Sequence, residues 1–439
     1  MLGILVLVAY TATLPFLQDL PARAYPIAPF AGLAAVGVAV LVLRYPAALL
    51  GAYAGGAFSL PFLLVPLEAN PVRGWSLLPM VGAAIYLLVH RRRVALPLNA
   101  ALVSQLAFAV ILLAGVIYTT GSTGNGLEKA WWFLRLNLFL FVSATLFAGD
   151  TAKQQAMLAS YSVSAVLWAV GVYLLGGYTQ GRLGFEDLAG PIVYGRACGI
   201  VATLMAAWLL SKTMHASTLI ALPVGLFALY GTVLSGTRGA LLAFLAALLI
   251  SIILSQITTR ALVHVVFAGA MLVGTLAVVP KLVYSGPREL AARYAELGDL
   301  AAGESAAERI YLYMVAARML ARSPVTGEGT GSFPSAFKYP HNIFLEVGAE
   351  VGIVGLLAFS TLLAVSFFYV VRALLRPGYS DAQKTTMVML GAGLAFWLTE
   401  AQFSGDITNN RLIWFFCGLI SAVHATKAAP SEEGKLARL

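Results

Sequence analysis

The chain has 439 residues, of which 60% are apolar and only 11% charged, and its mean hydropathy is +0.86. A soluble domain is nearer half apolar and a quarter charged, so composition excludes one and leaves an all-α, polytopic membrane bundle. The net charge of +9 contains no basic block of the nucleic-acid-binding kind, so the excess points to a membrane surface or an anionic substrate.

The amino-terminus is apolar from its first residues, and its first charge is Asp19. Without a basic start and a small-residue cleavage site it reads as a retained helix rather than a leader. Apolar runs then predict spans near 1–17, 27–43, 47–66, 75–89, 95–118, 131–149, 156–175, 192–211, 217–234, 239–257, 261–280, 344–371, 385–402 and 411–427. The runs 1–17 and 75–89 are short enough to be half-spans, so twelve to fourteen helices are expected. Cys198 and Cys417 both fall inside apolar runs, which argues against a disulfide framework or a thiolate metal site.

Sidedness follows from lysine and arginine in the short loops. One alternate set carries Arg44, Arg91, Arg92, Arg93, Lys153, Lys212, Arg260, Arg372, Arg376, Lys384, Lys427, Lys435 and Arg438. The opposite set carries only Arg23, Arg73, Lys129, Arg182 and Arg238. Both termini are therefore expected in the cytoplasm, and Arg182, Arg238 and the hydrophilic 281–340 segment on the outer face. This divides the chain into membrane helices over 1–280, an outer loop over 281–340, further membrane helices over 341–427 and a polar tail over 428–439.

The 281–340 segment carries its own structural signals. Ser305-Ala-Ala-Glu308 reads as a capping box opening a helix over 306–322, with Ile310, Met314, Ala317 and Leu320 on one apolar face. Ser323-Pro324 ends it, and Gly327-Glu-Gly-Thr-Gly331 turns the chain back. Such a helix is expected to lie as a cap over the mouth of the bundle.

An outer-face enzyme lacks cytoplasmic nucleotides and must use something already carried across. No phosphate-binding Gly-Lys-Ser/Thr loop, His-Glu-x-x-His or nucleophile elbow occurs, and the five histidines are scattered, so no metal site or cofactor is expected. Three residues stand out. Arg238 lies in the tight link Ser235-Gly-Thr-Arg-Gly239, where an arginine either snorkels to the interface or presents its fork of donors to a phosphate. Arg309 opens the loop helix and reads as a solvated arginine or a second phosphate ligand. His341, in Lys338-Tyr339-Pro340-His341-Asn342, lands where the chain re-enters the membrane and has the side chain suited to general-base work at neutral pH. Arg182 and Arg196, flanking Gly190-Pro191, with Lys338, Tyr339 and Asn342, are further candidates for substrate binding. Glu346 and Glu350 follow His341 on its helix and either orient the imidazole or pair with an arginine. Glu400 and Gln402 lie near the outer end of their span, and Asp406, Asn409, Asn410 and Arg411 fill the last outer loop.

His341-Asn342, nine residues, Gly352, two residues and Gly355 resembles the His-Asn/Ser/Gln to Gly-x-x-Gly signature of the bacterial O-antigen ligase family. Arg238-x-x-x-Leu242 is similar to that family's Arg-x-x-x-Leu element, and Arg309 through Phe333 is similar to its large loop. The resemblance covers roughly 180–425. It implies a glycosyltransferase in a bacterial inner membrane with its site facing the periplasm. The donor would be a glycan on undecaprenyl diphosphate and the acceptor lipid A–core oligosaccharide. His341 would be the base, and Arg238 and Arg309 would grip the diphosphate.

Three alternatives remain at this level. A polysaccharide polymerase of the same superfamily would join two lipid-linked glycans; one form carries Arg-x15-Gly loops, and no such spacing follows Arg182, Arg196, Arg288, Arg309 or Arg322. A protein O-oligosaccharyltransferase is the second. A transporter or flippase is the third and would want inverted repeats and midplane charge, whereas here charge gathers at one face.

Overall fold

A computed structural model describes residues 44–57, 84, 86, 88–89, 97–179, 182–184, 190–211, 218–255, 304–334 and 339–428. The predicted spans 1–17, 27–43 and 261–280, nearly all of 75–89, the start of the outer loop, Lys338 and the tail from 429 lie outside the described residues. What is described is helical: α1 (Pro46–Ala54), α2 (Ala100–Gly115), α3 (Thr123–Phe147), α4 (Thr151–Leu175), α5 (Pro191–Ser211), α6 (Thr218–Leu234), α7 (Arg238–Leu254), α8 (Glu304–Arg322), α9 (Ile343–Leu375), α10 (Asp381–Glu400) and α11 (Leu412–Ala428). A two-stranded hairpin, β1 (Gly177–Thr179) against β2 (Arg182–Gly184), sits between α4 and α5. The chain is an all-α polytopic membrane protein, with α3, α4, α5 and α9 each long and apolar enough to cross a bilayer.

Local chemistry sets the ends of these helices. Asn99 caps α2 by accepting from Leu102 N–H at 3.1 Å, Asp150 caps α4 by accepting from Lys153 N–H at 2.8 Å, and Ser380 with Gln383 forms a reciprocal capping box on α10. Most described helices begin and end within a few residues of the apolar runs, but α1 ends at Ala54 ahead of Gly55 and Gly56 (φ 90°) rather than near 66, and α3 also departs. It starts at Thr123 rather than 131, because Glu128 and Lys129 interrupt the apolar run without interrupting the helix. The same helix passes through a π turn at Phe133–Leu138.

Packing between helices depends on fitted surfaces, because lipid tails compete equally for apolar side chains. Phe108 of α2, Phe133 of α3, Phe359 of α9 and Trp414 of α11 close a ring of aromatic contacts, with centroids 5.5–6.0 Å apart. α10 is buried along almost its whole length between α5, α7 and α11.

Two features position the mouth of the bundle beside α8. Gly352 breaks α9 with φ 66° and ψ −165°, a conformation reserved for glycine. Its Cα faces Val325 O and Gly327 N so closely that no Cβ could fit. The backbone groups released by the break bond to the returning loop: Ile353 N–H donates to Pro324 O at 2.9 Å, Glu328 N–H to Ala349 O at 2.9 Å and Gly329 N–H to Glu350 O at 2.9 Å. Beyond the break, 353–375 spans roughly 34 Å at ~1.5 Å per residue and crosses the membrane, while 343–351 is a short half-helix at the mouth.

The second feature is α8, which differs from expectation. Its buried face is Leu312, Ala316 and Met319, packed on Phe333 and Ala349, while Ile310 and Met314 of the predicted core face are about half exposed. Apolar residues occur on both sides of this helix, so periodicity alone selects neither face. Leu320, at the edge, does reach α9 beside Gly348. The helix opens at Glu304, placing Ser305 within its first turn rather than ahead of it.

Candidate active site

His341 is the sole non-glycine residue with positive φ among the described residues, at 56°. Pro340 precedes it and Asn342 follows as the cap of α9, its Oδ1 accepting from Phe344 N–H at 3.1 Å and Leu345 N–H at 3.0 Å. Ile343 N–H donates to Ala401 O at 3.0 Å, so the entry to α9 is also pinned to the end of α10. A left-handed backbone costs a β-substituted residue of order 1–3 kcal/mol and persists where its surroundings fix it, often at sites of function. The Tyr339 ring stands edge-on to the imidazole with centroids 4.5 Å apart, and Nδ1 of His341 is buried with no hydrogen-bond partner among the described residues. Burial first, then the Arg309 charge and that of Arg196, push the His341 pKa below its ordinary value, against an opposing pull from Glu308. The imidazole is therefore neutral at pH 7 and keeps one ring nitrogen as a proton acceptor. The Tyr339 phenol is raised, by burial and then by Asp406, so it stays protonated.

The arginines reach this point from separate elements. Arg196, near the start of α5, donates through Nε to Glu400 Oε1 at 2.6 Å and through Nη2 to Ser404 O at 2.8 Å. Glu400 is 1% exposed, and its second oxygen lies against Gly239 without a hydrogen-bond partner. Arg238 is the first residue of α7, so the ion pair sits beside the turn that launches it. That turn, Ser235-Gly236-Thr237, has Gly236 at φ 61° and is gripped by Arg182. Arg309 on α8 acts electrostatically on both His341 and Glu400. Tyr313, one turn along the same helix, donates to Gln402 O at 3.3 Å and ties α8 to the loop after α10.

The sequence candidates thus divide. His341, Tyr339, Arg196 and Arg309 converge, whereas Arg238 is placed only through its neighbour Gly239, which packs on Glu400. Arg182 faces the backbone of the Arg238 turn, and Asn342 spends its oxygen on the helix cap. Glu346 and Glu350 neither orient the imidazole nor pair with an arginine: both grip Lys129 of α3, at 2.7 Å for Glu350. In sequence Lys129 is a loop charge and Glu400 a carboxylate near the end of its span, since nothing local in either segment names a partner more than two hundred residues away. Among the described residues no group of three or more His, Cys, Asp or Glu is placed to hold a metal ion.

At one mouth of this polytopic bundle, a partly buried histidine lies within the electrostatic reach of arginines from two helices, α5 and α8. Residues 223–360, which run from α6 through the Gly352 break, match the model of the O-antigen ligase family. No curated protein matches the chain significantly. The matched stretch contains Arg238, Arg309 and His341, and its Gly352 and Gly355 have structural duties here: one breaks α9, and the other packs where a Cβ would overlap Val351.

Proposed function

We propose that this protein is a ligase-type glycosyltransferase that moves a glycan from undecaprenyl diphosphate to lipid A–core oligosaccharide at the periplasmic face of a bacterial inner membrane. The lysine and arginine bias of the loops supports that sidedness, with both termini cytoplasmic. In this reading 1–280 and 341–427 form the membrane body, 281–340 caps the site and 428–439 is a tail.

Arg238 and Arg309 bind the diphosphate and stabilise the charge that grows on it as the anomeric C–O bond breaks, the electrostatic contribution that is usually largest in such reactions. His341 removes the proton of the acceptor hydroxyl as that oxygen forms the new bond to the anomeric carbon. A single displacement inverts the anomeric configuration, and departure of the diphosphate drives the step without a metal or ATP. Arg182, Arg196, Tyr339 and Asn342 line or brace the surrounding surface, and Lys338, next to Tyr339 in sequence, is proposed as a further substrate-binding residue.

The observation that carries this reading is the neutral, partly buried His341 set among Arg196, Arg309 and Glu308 at the mouth of the bundle. The test is reconstitution in liposomes with purified lipid-linked glycan, offering lipid A–core or additional donor as acceptor. Transfer to lipid A–core is expected. Elongation of the donor alone would make the protein a polymerase, and the absence of both reactions would overturn the reading.

A further inference from the structure

Nδ1 of His341 has no hydrogen-bond partner among the described residues, yet the backbone of this residue sits in a strained conformation. What holds the half-helix behind it is a buried charge cluster. The Lys129 ammonium, on α3, lies between Glu346 and Glu350, one turn apart on 343–351, and the three side chains are 11%, 0% and 1% exposed. The second oxygen of Glu346 accepts Ile407 N–H at 3.0 Å, which adds the last outer loop to the same knot. Asn137, two turns beyond Lys129 on α3, donates to Ile407 O at 2.7 Å, so both polar groups of that residue's backbone are bound. The half-helix is thereby fixed at three places: Ala401 at its start, Lys129 and Ile407 at its middle, and Glu328 and Gly329 at its end.

An ion cluster this dry is a poor source of stability, since desolvation consumes most of the Coulomb attraction. Its hydrogen bonds are directional, however, and α9 is severed at Gly352, so 343–351 cannot inherit its orientation from the membrane-crossing part. We infer that Lys129 is a positioning residue: by holding Glu346 and Glu350 it fixes the rotation and depth of the half-helix and so aims His341 at the acceptor hydroxyl. Glu346 extends that hold to the 404–410 loop. The inference rests on the general-base reading of His341.

The test uses the full chain in liposomes or detergent, with two independent readouts on Lys129→Met and on the triple variant Lys129→Met/Glu346→Gln/Glu350→Gln. The triple variant removes the three mutually bonded charges together, with only the Asp406 carboxylate remaining nearby, so it keeps the question open if the single variant folds poorly. Hydrogen exchange is expected to rise in 342–351 while 353–375 stays protected. Transfer per folded molecule is expected to fall about 10–100-fold in kcat, the range for reacting groups displaced by roughly 1 Å, with donor KM within about twofold. Lys129→Arg, which retains charge and donors, is expected to recover part of the loss.

Unchanged exchange at 342–351 would overturn the inference, as would raised exchange with undiminished kcat. So would loosening spread evenly over the bundle with kcat per folded molecule intact, which is the behaviour of a residue needed only for folding. His341→Ala run alongside separates the two readings. If it retains activity, the general-base reading fails, while the exchange data still report whether Lys129 holds the half-helix.

Discussion

Arg182 holds the turn that presents Arg238: its Nε donates to Ser235 O at 2.9 Å and its Nη2 to Thr237 Oγ1 at 3.2 Å. Both bonds go to the turn, one to a backbone carbonyl and one to a side-chain hydroxyl, so the influence of Arg182 on a substrate runs through the placement of Arg238. Arg182→Ala is accordingly expected to weaken donor affinity by about tenfold, the size of a lost charged hydrogen bond of ~1.5 kcal/mol. Arg238→Ala is expected to cost more. Donor titration of both variants checks this order, and equal or reversed losses would place Arg182 on the substrate itself.

Charge and geometry separate at the arginines of the site. Lysine keeps the charge of Arg238 or Arg309 but not the planar fork that meets two oxygens at once. Each Arg→Lys variant is expected to turn over more slowly than the parent, and each Arg→Ala variant more slowly still, with folded yield unchanged and EDTA without effect. Full activity in Arg238→Ala, or activity lost to EDTA and restored by Mg²⁺, would sink the arginine-based mechanism.

The environment of His341 fixes the sign of its pH dependence. Its pKa is lowered by burial and by Arg309, so the neutral, proton-accepting form dominates at pH 7 and is lost only as pH falls through a value below the ordinary ~6.5. kcat/KM is expected to plateau at neutral pH and decline on the acid side below that point. His341→Ala is expected to lose ~10²–10⁴ in rate while binding donor. An acid limb above pH 7, or activity within a few-fold of the parent in the variant, would contradict the assignment.

Gly352 offers a test of the fold. A side chain there would meet Val325 O and Gly327 N, at a φ of 66°. Gly352→Ala is expected to lose several kcal/mol, ~1–3 from the backbone alone, seen as lower yield and an earlier thermal transition in detergent. Gly149→Ala, with nothing within 4 Å of the added atom, is expected to be tolerated. Equal behaviour of the two variants would mean that α9 is not broken as described.

Sidedness is tested with two cysteines. Cys198 and Cys417 are buried and should stay silent to an impermeant thiol reagent. Ala321→Cys, on exposed α8, is expected to react from the periplasmic side, and Ser380→Cys, ahead of α10, only after the membrane is opened. The reverse pattern would invert the topology and remove the reason for a lipid-linked donor.

Composition and apolar run length determined the class of protein and the approximate limits of the described helices, because a helix in lipid must satisfy its own backbone and needs a fixed length to cross. Local residue chemistry drew attention to His341, Arg238 and Arg309 as candidates, and the resemblance of the His-to-Gly and Arg-to-Leu patterns to the O-antigen ligase family implied roles for them. The tertiary structure decided the pairings. Lys129 with Glu346 and Glu350, and Arg196 with Glu400, join residues more than two hundred apart, and a charge in sequence carries no label for its partner. It also chose the buried face of α8, where apolar residues on both sides left periodicity undecided and contact with Phe333 and Ala349 selected Leu312, Ala316 and Met319. The break at Gly352 belongs to the same category: a glycine within an apolar run is compatible with an unbroken helix, and only the returning loop, which takes up the freed backbone groups, makes the break stable.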